Sequence, residues 1–322
     1  MVAAPLLAIG ACTRDTPSVV DAKGAAERHV TVLWWPLLWV GTAVFAFVLV
    51  MLVAGIVRGR GRSESEARQQ ARWGEPFIVI GAVVVTGVIL TGFFLFSLKE
   101  MRAIAAQGQG AALTIHVTGH DWWWEAAYPN GAVTANEIHI PSGERVRLLL
   151  DGADVIHSFW VPQLAPKRDT IPGKTNLLWI EADAPGRFRG QCAEYCGLQH
   201  AHMGLWVYAQ RPDDFAKWMS DQSRPLTAPA GEAARGMRVF MTSTCVGCHA
   251  IRGTPAGGTA GPDLTHVASR DTIAGAFLPN NARVLSDWIT DPQDEKPGAV
   301  MPPTQLSAAD LRALVAFLGS LK

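Results

Sequence analysis

Two uncharged apolar runs constrain this chain more than anything else in it. Val30–Val57 is 28 residues long and Phe77–Leu98 is 22, and neither contains an Asp, Glu, Lys or Arg. About 20 apolar residues cross the hydrocarbon core of a bilayer as a helix. Inside lipid the backbone must satisfy its own hydrogen bonds, which leaves the helix as the form such a run takes. A buried helix of a soluble domain fits these lengths poorly. The loop between them, Arg58–Arg72, carries five arginines against two glutamates, so it is expected on the cytoplasmic side. Trp34, Trp35 and Trp39 then fall near the outer interface, where aromatic rings favour the headgroups. The predicted arrangement is a two-pass helical hairpin over residues 30–98, with everything after about Lys99 outside the cytoplasm.

Residues 1–22 form a signal-like region. The run Leu6–Cys12 resembles a bacterial lipoprotein signal, whose cysteine becomes lipidated after cleavage; an ordinary signal with an incidental Cys12 is the alternative. Hydrophobic residues make up 49% of the chain and charged residues 17%, in keeping with part of the apolar surface meeting lipid. The formal net charge is zero, and residues 231–322 carry eight acidic and eight basic side chains. Neither figure supports nucleic-acid binding.

The outer part reads as two domains. Over 110–210, short β-rich runs at Leu113–Thr118, Glu137–Ile140, Arg145–Leu150 and Leu177–Glu181 alternate with turn signals at Pro129–Gly131, Pro141–Gly143 and Pro185–Gly186. That spacing predicts an all-β sandwich or barrel. Residues 211–230 are read as a linker. They open with a short helix at Pro212–Gln222, and the Pro/Ala stretch Arg224–Gly231 follows. Residues 231–322 show helical patterns at Glu232–Met241 and Ala308–Leu321, separated by Gly/Pro-rich loops, which predicts a small all-α domain.

Two motifs carry chemistry. The first is Cys192-Ala-Glu194-Tyr-Cys196-Gly-Leu-Gln-His200-Ala-His202-Met203. It supplies soft thiolate, imidazole and thioether donors, which suit copper. A zinc site with two thiolates and two imidazoles drawn from His157, His200 and His202 is one alternative, and a disulfide is another; both account poorly for Met203. Two thiolates also set the motif apart from a mononuclear blue-copper centre, which uses one.

The second motif is Cys245-Val-Gly-Cys248-His249, the c-type heme attachment sequence. Cys245 and Cys248 would form the thioethers and His249 the proximal ligand. No cysteine follows Cys248, so a zinc knuckle lacks its second pair. Met301 is the only methionine after His249 and is the expected sixth ligand, with His266 as its rival.

The first motif resembles the binuclear CuA sequence of cytochrome c oxidase subunit II. Gly119–Trp124, Asp154–Pro162, Lys167–Gly173 and the two apolar spans resemble that family in the same order, from about residue 30 to 210. Residues 231–322 are similar to the cytochrome c domain fused to subunit II in heme-c-containing bacterial oxidases. The resemblance implies a cupredoxin-like barrel in which Cys192 and Cys196 bridge two coppers and His157 and His200 each cap one. Met203 and the Glu194 carbonyl complete the shells. It also implies a Mg2+ held by the Glu194 side chain and shared with subunit I, and electron entry at Trp122. Asp121 and Trp123 stand where the family more often has Gln and Tyr. Glu75, before Pro76, has two readings: a carboxylate at the membrane interface, or the family's glutamate at the mouth of a proton channel.

The expected function is subunit II of a proton-pumping cytochrome c oxidase in a bacterial cell membrane. It would pass electrons from cytochrome c or another donor, through covalent heme c and CuA, to subunit I, where oxygen is reduced. The expected partners are subunit I, other oxidase subunits, a donor and the bilayer. The alternatives are the electron-entry subunit of a CuA-containing nitric oxide reductase and, from another class, a copper-storage or chaperone protein. A nitrous oxide reductase is disfavoured by the two spans.

Overall fold

The computed structural model describes residues 17–60, 74, 76–106 and 110–322, so Cys12, Glu75 and most of the arginine-rich loop lie outside the described residues. It divides into two compact units, one of residues 28–109 and one of residues 1–27 with 110–322.

The first unit is helical. Helix α1 spans Ala25–Gly59, and α2 spans Thr86–Ala106 after a π-helical turn at Ile80–Val85. At 1.5 Å per residue, the 35 residues of α1 exceed the thickness of a bilayer core. Its apolar side chains face outward: Phe45 is 69% exposed and Val88, on α2, 68%. Such a surface is unfavourable in water and ordinary in lipid. Thr42 Oγ1 donates to Leu38 O at 2.7 Å, which satisfies a hydroxyl within the apolar stretch. His29 Nδ1 and Glu100 Oε2 meet at 2.6 Å, joining the start of α1 to the last turns of α2.

The second unit contains two hydrophobic cores. The first lies in a sandwich of two five-stranded sheets, ordered β3-β2-β1-β5-β8 and β4-β10-β9-β6-β7. The strands are β1 Leu113–His120, β2 Trp123–Ala127, β3 Val133–Ala135, β4 Glu137–Pro141, β5 Val146–Gly152, β6 His157–Trp160, β7 Arg168–Thr170, β8 Asn176–Ile180, β9 Gly186–Cys192 and β10 Gly204–Gln210. The period-2 rule decides which side chains turn inward. Ile115 and Val117 of β1, and Leu148 and Leu150 of β5, are fully buried and meet Trp124 and Phe159 between the sheets. Trp124 and Phe159 pack edge to face at 5.4 Å. This is the predicted all-β, cupredoxin-like layer. The strands expected at 113–118, 137–140, 145–150 and 177–181 correspond to β1, β4, β5 and β8. Asn136 turns the chain between β3 and β4 with φ 62, and its Oδ1 accepts from Trp124 N at 2.9 Å. Asn tolerates that left-handed backbone better than a bulkier residue would.

Helix α3, Pro212–Gln222, packs Phe215 and Trp218 against this core. Beyond it the fold is all-α apart from one short hairpin. Its helices are α4 Gly231–Thr242, α5 Ala282–Thr290, α6 Pro292–Glu295 and α7 Ala308–Leu318. The hairpin is β11 Thr272–Ile273 with β12 Leu278–Pro279. Side chains cap three of the helices. Asn281 accepts from Val284 N, Asp291 from Gln293 N and Ser307 from Asp310 N. Helix α4 crosses α7 with almost no gap, since a Cβ on Gly236 would stand 1.9 Å from Ala313 O. Phe240 and Phe317 fill the second core beside this crossing, both essentially unexposed.

Candidate metal and heme sites

Strand β9 ends at Cys192 and β10 begins at Gly204, so the first motif is one loop at the edge of the second sheet. Cys192 N donates to Met203 O at 2.9 Å, closing that loop. Phe159 pairs with Cys192 across the sheet, which brings His157 at the start of β6 to the sulfurs. The donor atoms of His157, Cys192 and Cys196 all lie within 4.8 Å of one another. The two cysteine sulfurs are 3.8 Å apart and both thiols are free, far beyond the roughly 2.05 Å of a bonded pair. Cys196 Sγ also lies 3.6 Å from His200 Nδ1 and 3.8 Å from Met203 Sδ. The Glu194 carbonyl is 3.2 Å from Cys192 Sγ, while its side chain is exposed. His202 is held elsewhere, by Gln199 Oε1 at 2.6 Å and by stacking on Phe277 at 4.0 Å.

These donors fit copper. Nδ1 of His157 is buried with no hydrogen-bond partner among the described residues, although its side chain is fully buried. Its Nε2 meets Asp154 Oδ1 at 2.7 Å, which orients the ring as second-layer carboxylates orient metal-binding imidazoles. Burial pulls the His157 pKa down, but the neighbouring Cys192 sulfur and the Asp154 carboxylate outweigh it and leave it raised. The hydrogen bond between the two thiols holds Cys192 well below the usual thiol range and pushes Cys196 up, so the pair favours sharing one proton. Asp154 is a residue of the candidate site that sequence reasoning passed over. An acid three positions before the candidate histidine was its signal. Asp121, one of the departures from the family pattern, gives its N–H to Asp154 Oδ2 at 2.7 Å.

Cys245, Cys248, His249 and Met301 line one cavity, and Trp122 closes it from the β-sandwich side. The residues fit a heme. His249 Nδ1 pairs with Pro262 O at 2.7 Å, leaving Nε2 free to face the cavity. A Cβ on Gly261 would stand 2.6 Å from the His249 ring, so that position needs glycine's small size. Burial lowers the His249 pKa, which favours the neutral, metal-binding form. His266 is engaged elsewhere, with Nε2 3.1 Å from Arg224 O. Trp122 is also tied to the other site, because its Nε1 donates to Cys196 O at 2.8 Å. Gly197, at φ +111, lies under the Trp122 ring, where a Cβ would stand 3.1 Å from it.

A sulfur-rich donor loop on a cupredoxin-like sandwich, joined to a CxxCH helical domain, defines a copper- and heme-type electron carrier. Residues 132–210 match the family described as cytochrome c oxidase subunit II, periplasmic domain, and residues 233–322 match cytochrome c. The chain is 42% identical over 247 residues to cytochrome c oxidase subunit 2 of Alkalihalophilus pseudofirmus, covering 76% of this chain and 70% of that one. It is 33% identical over 261 residues to the subunit 2 of Bacillus sp. PS3, covering 76% and 72%. Among solved structures, the periplasmic domain of subunit II of cytochrome oxidase of Bradyrhizobium japonicum is 35% identical, covers 35% of this chain and 94% of that one, and gives a TM-score of 0.34.

The chain belongs to the cytochrome c oxidase subunit II family, in the form that carries a fused cytochrome c domain. It is a subunit of a heme-copper oxidase, an oxidoreductase complex, and works with other oxidase subunits. The family implies CuA copper in the β domain and heme in the C-terminal one. With two helices long and apolar enough to cross a membrane, the chain is membrane-anchored, with its subunit II domain periplasmic.

Proposed function

We propose that this chain relays electrons from an external donor, through a heme held by Cys245, Cys248, His249 and Met301, to copper held by His157, Cys192, Cys196, His200, Met203 and the Glu194 carbonyl. Bound there, the two groups supply reversible one-electron storage, and oxygen is reduced in subunit I. The observation that carries this reading is Trp122: it walls the heme cavity and donates to Cys196 O at 2.8 Å, so one side chain separates the two sites. The residues do the rest. Asp154 orients His157, Pro262 O orients His249, and the buried aromatic layer around Trp124 and Phe159 excludes water from the sulfur side. The exposed Glu194 carboxylate is the group offered to Mg2+ at the subunit I face.

The test is to purify the oxidase complex and measure its metals and kinetics. Copper should be present as a magnetically coupled pair in this subunit, with covalent heme. Reducing the heme by a light pulse should be followed by reduction of the copper. Magnesium should be lost on Glu194→Ala. Zinc in place of copper, or a heme that never reduces the copper, would overturn the reading.

The length and apolar character of both helices and the arginines of 58–72 support a two-pass arrangement, with residues 110–322 outside and the Arg58–Arg72 loop in the cytoplasm. A reporter active only outside the cytoplasm should be active when fused after Gly110 and silent after Gly61. The reverse pattern would invert the topology.

A further inference from the structure

Lys296 carries a charge where burial is expensive. It follows α6 in the heme domain and is 3% exposed. Burial pushes its pKa down to about 8, against a smaller opposing pull from Cys196. The amine is nonetheless fully used. Its Nζ donates to Trp122 O at 2.8 Å, His202 O at 3.0 Å and Ala274 O at 3.0 Å. An ammonium has three donors and no acceptor, so three carbonyls saturate it. Two of the three belong to the copper domain. Trp122 separates the two cofactor sites, and His202 directly precedes Met203.

The surroundings make this a built contact. The tip of the β11–β12 hairpin, Ala274–Ala276, holds left-handed backbone with φ 55, 81 and 55. A Cβ on Gly275 would stand 2.6 Å from His202 O and 2.8 Å from Lys296 Nζ. Gly204 N donates to Gly275 O at 2.8 Å, and Gln199 Nε2 to Pro297 O at 2.6 Å. Lys296 also stands on the strap that leads to Met301. Gln293 Nε2 braces that strap at Ala299 O and Met301 O, at 2.8 and 3.3 Å. One amine therefore ties together the backbones from which the copper loop, the intervening tryptophan and the Met301 strap all hang.

We propose that Lys296 is the positioning residue that locks the cytochrome c domain onto the copper domain and sets the separation across which electrons pass. The proposal rests on the relay described above. A neutral side chain of the same length would leave the carbonyls of Trp122 and His202 buried and unpaired, so the domains would part more often. The heme would then spend more time away from Trp122, with neither ligand set altered.

The test uses the full chain in the purified complex, comparing Lys296→Met with the parent protein. Hydrogen exchange at Gly204 N and Asp271 N reads the opening directly, since their acceptors, Gly275 O and Glu137 Oε1, lie across the interface. Exchange there should accelerate by about tenfold or more, as expected for unpaired buried acceptors, while amides within the β1–β5 ladder keep their rates. Heme-to-copper transfer after a light pulse should slow, while the heme spectrum and the copper resonance, which report the two ligand sets, stay unchanged. Lys296→Gln keeps two N–H donors and should fall between the two; it is read the same way if the methionine variant does not assemble. Unchanged exchange at Gly204 and Asp271 together with an unchanged transfer rate would overturn the proposal. If the parent protein shows no heme-to-copper transfer, the relay fails, while the exchange rates still judge the lock.

Discussion

Cys196→Ser should strip the copper pair from this subunit and leave its heme in place. Cys196 Sγ sits among the donors, 3.8 Å from Cys192 Sγ, 3.6 Å from His200 Nδ1 and 3.8 Å from Met203 Sδ. A serine hydroxyl is a hard donor that stays protonated at neutral pH and cannot bridge two soft metal ions as a thiolate does. Donor-driven oxygen uptake by the complex should fall by at least the roughly 10–100-fold that even outer-layer changes produce at metal sites. The coupled-copper resonance should vanish while the heme spectrum stays, because Cys245 and Cys248 attach the heme in the other domain. Retention of a coupled copper pair in the variant would remove Cys196 from the site.

The copper loop was legible because it is local. Its five candidate ligands, Cys192, Glu194, Cys196, His200 and Met203, fall between the last residue of β9 and the start of β10, so their spacing survives unchanged into the structure. The heme motif is local for the same reason. His157 is different. It reaches the sulfurs through the pairing of Phe159 with Cys192, a long-range register that spacing does not reveal, and the family resemblance pointed to it instead. Much of the sandwich was also hidden. Strand β10 buries five of its first six residues and so has no alternation to read, and β3 has three residues. Helix α5 was missed because Gly/Pro-rich stretches flank it, although its buried Val284, Leu285 and Ile289 mark a helical face. Lys296 had no sequence signal. A lysine beside Glu295 and Pro297 reads as a surface residue, and its three carbonyl partners come from segments 22 to 174 positions away. Charge counting was silent about the docking of the two domains, since it runs through buried backbone carbonyls and leaves the net charge of residues 231–322 at zero.

Met301→Ala and Met301→His should both lower the heme potential without releasing the heme. Met301 lines the cavity that holds Cys245, Cys248 and His249, and its backbone is braced by Gln293 Nε2 at 3.3 Å. A thioether ligand favours the reduced heme, whereas imidazole or water favours the oxidised form. The expected drop is on the order of one to a few tenths of a volt, inside the roughly 0.8 V that axial ligands span. The weak red absorption band of sulfur-ligated heme should disappear. His249 keeps its orientation, because Pro262 O holds Nδ1 from the far side at 2.7 Å. The heme should therefore accept electrons from a high-potential donor less readily, and turnover should fall although the copper resonance is normal. This outcome separates Met301 from Cys196, whose loss removes the copper and spares the heme. The rival ligand, His266, is occupied by Arg224 O at 3.1 Å, which anchors the segment leading into the heme domain. Recruiting it would require that anchor to break. If Met301→His leaves both the red band and the potential where they were, the sixth ligand is His266 or another group, and the strap that Lys296 pins carries no ligand.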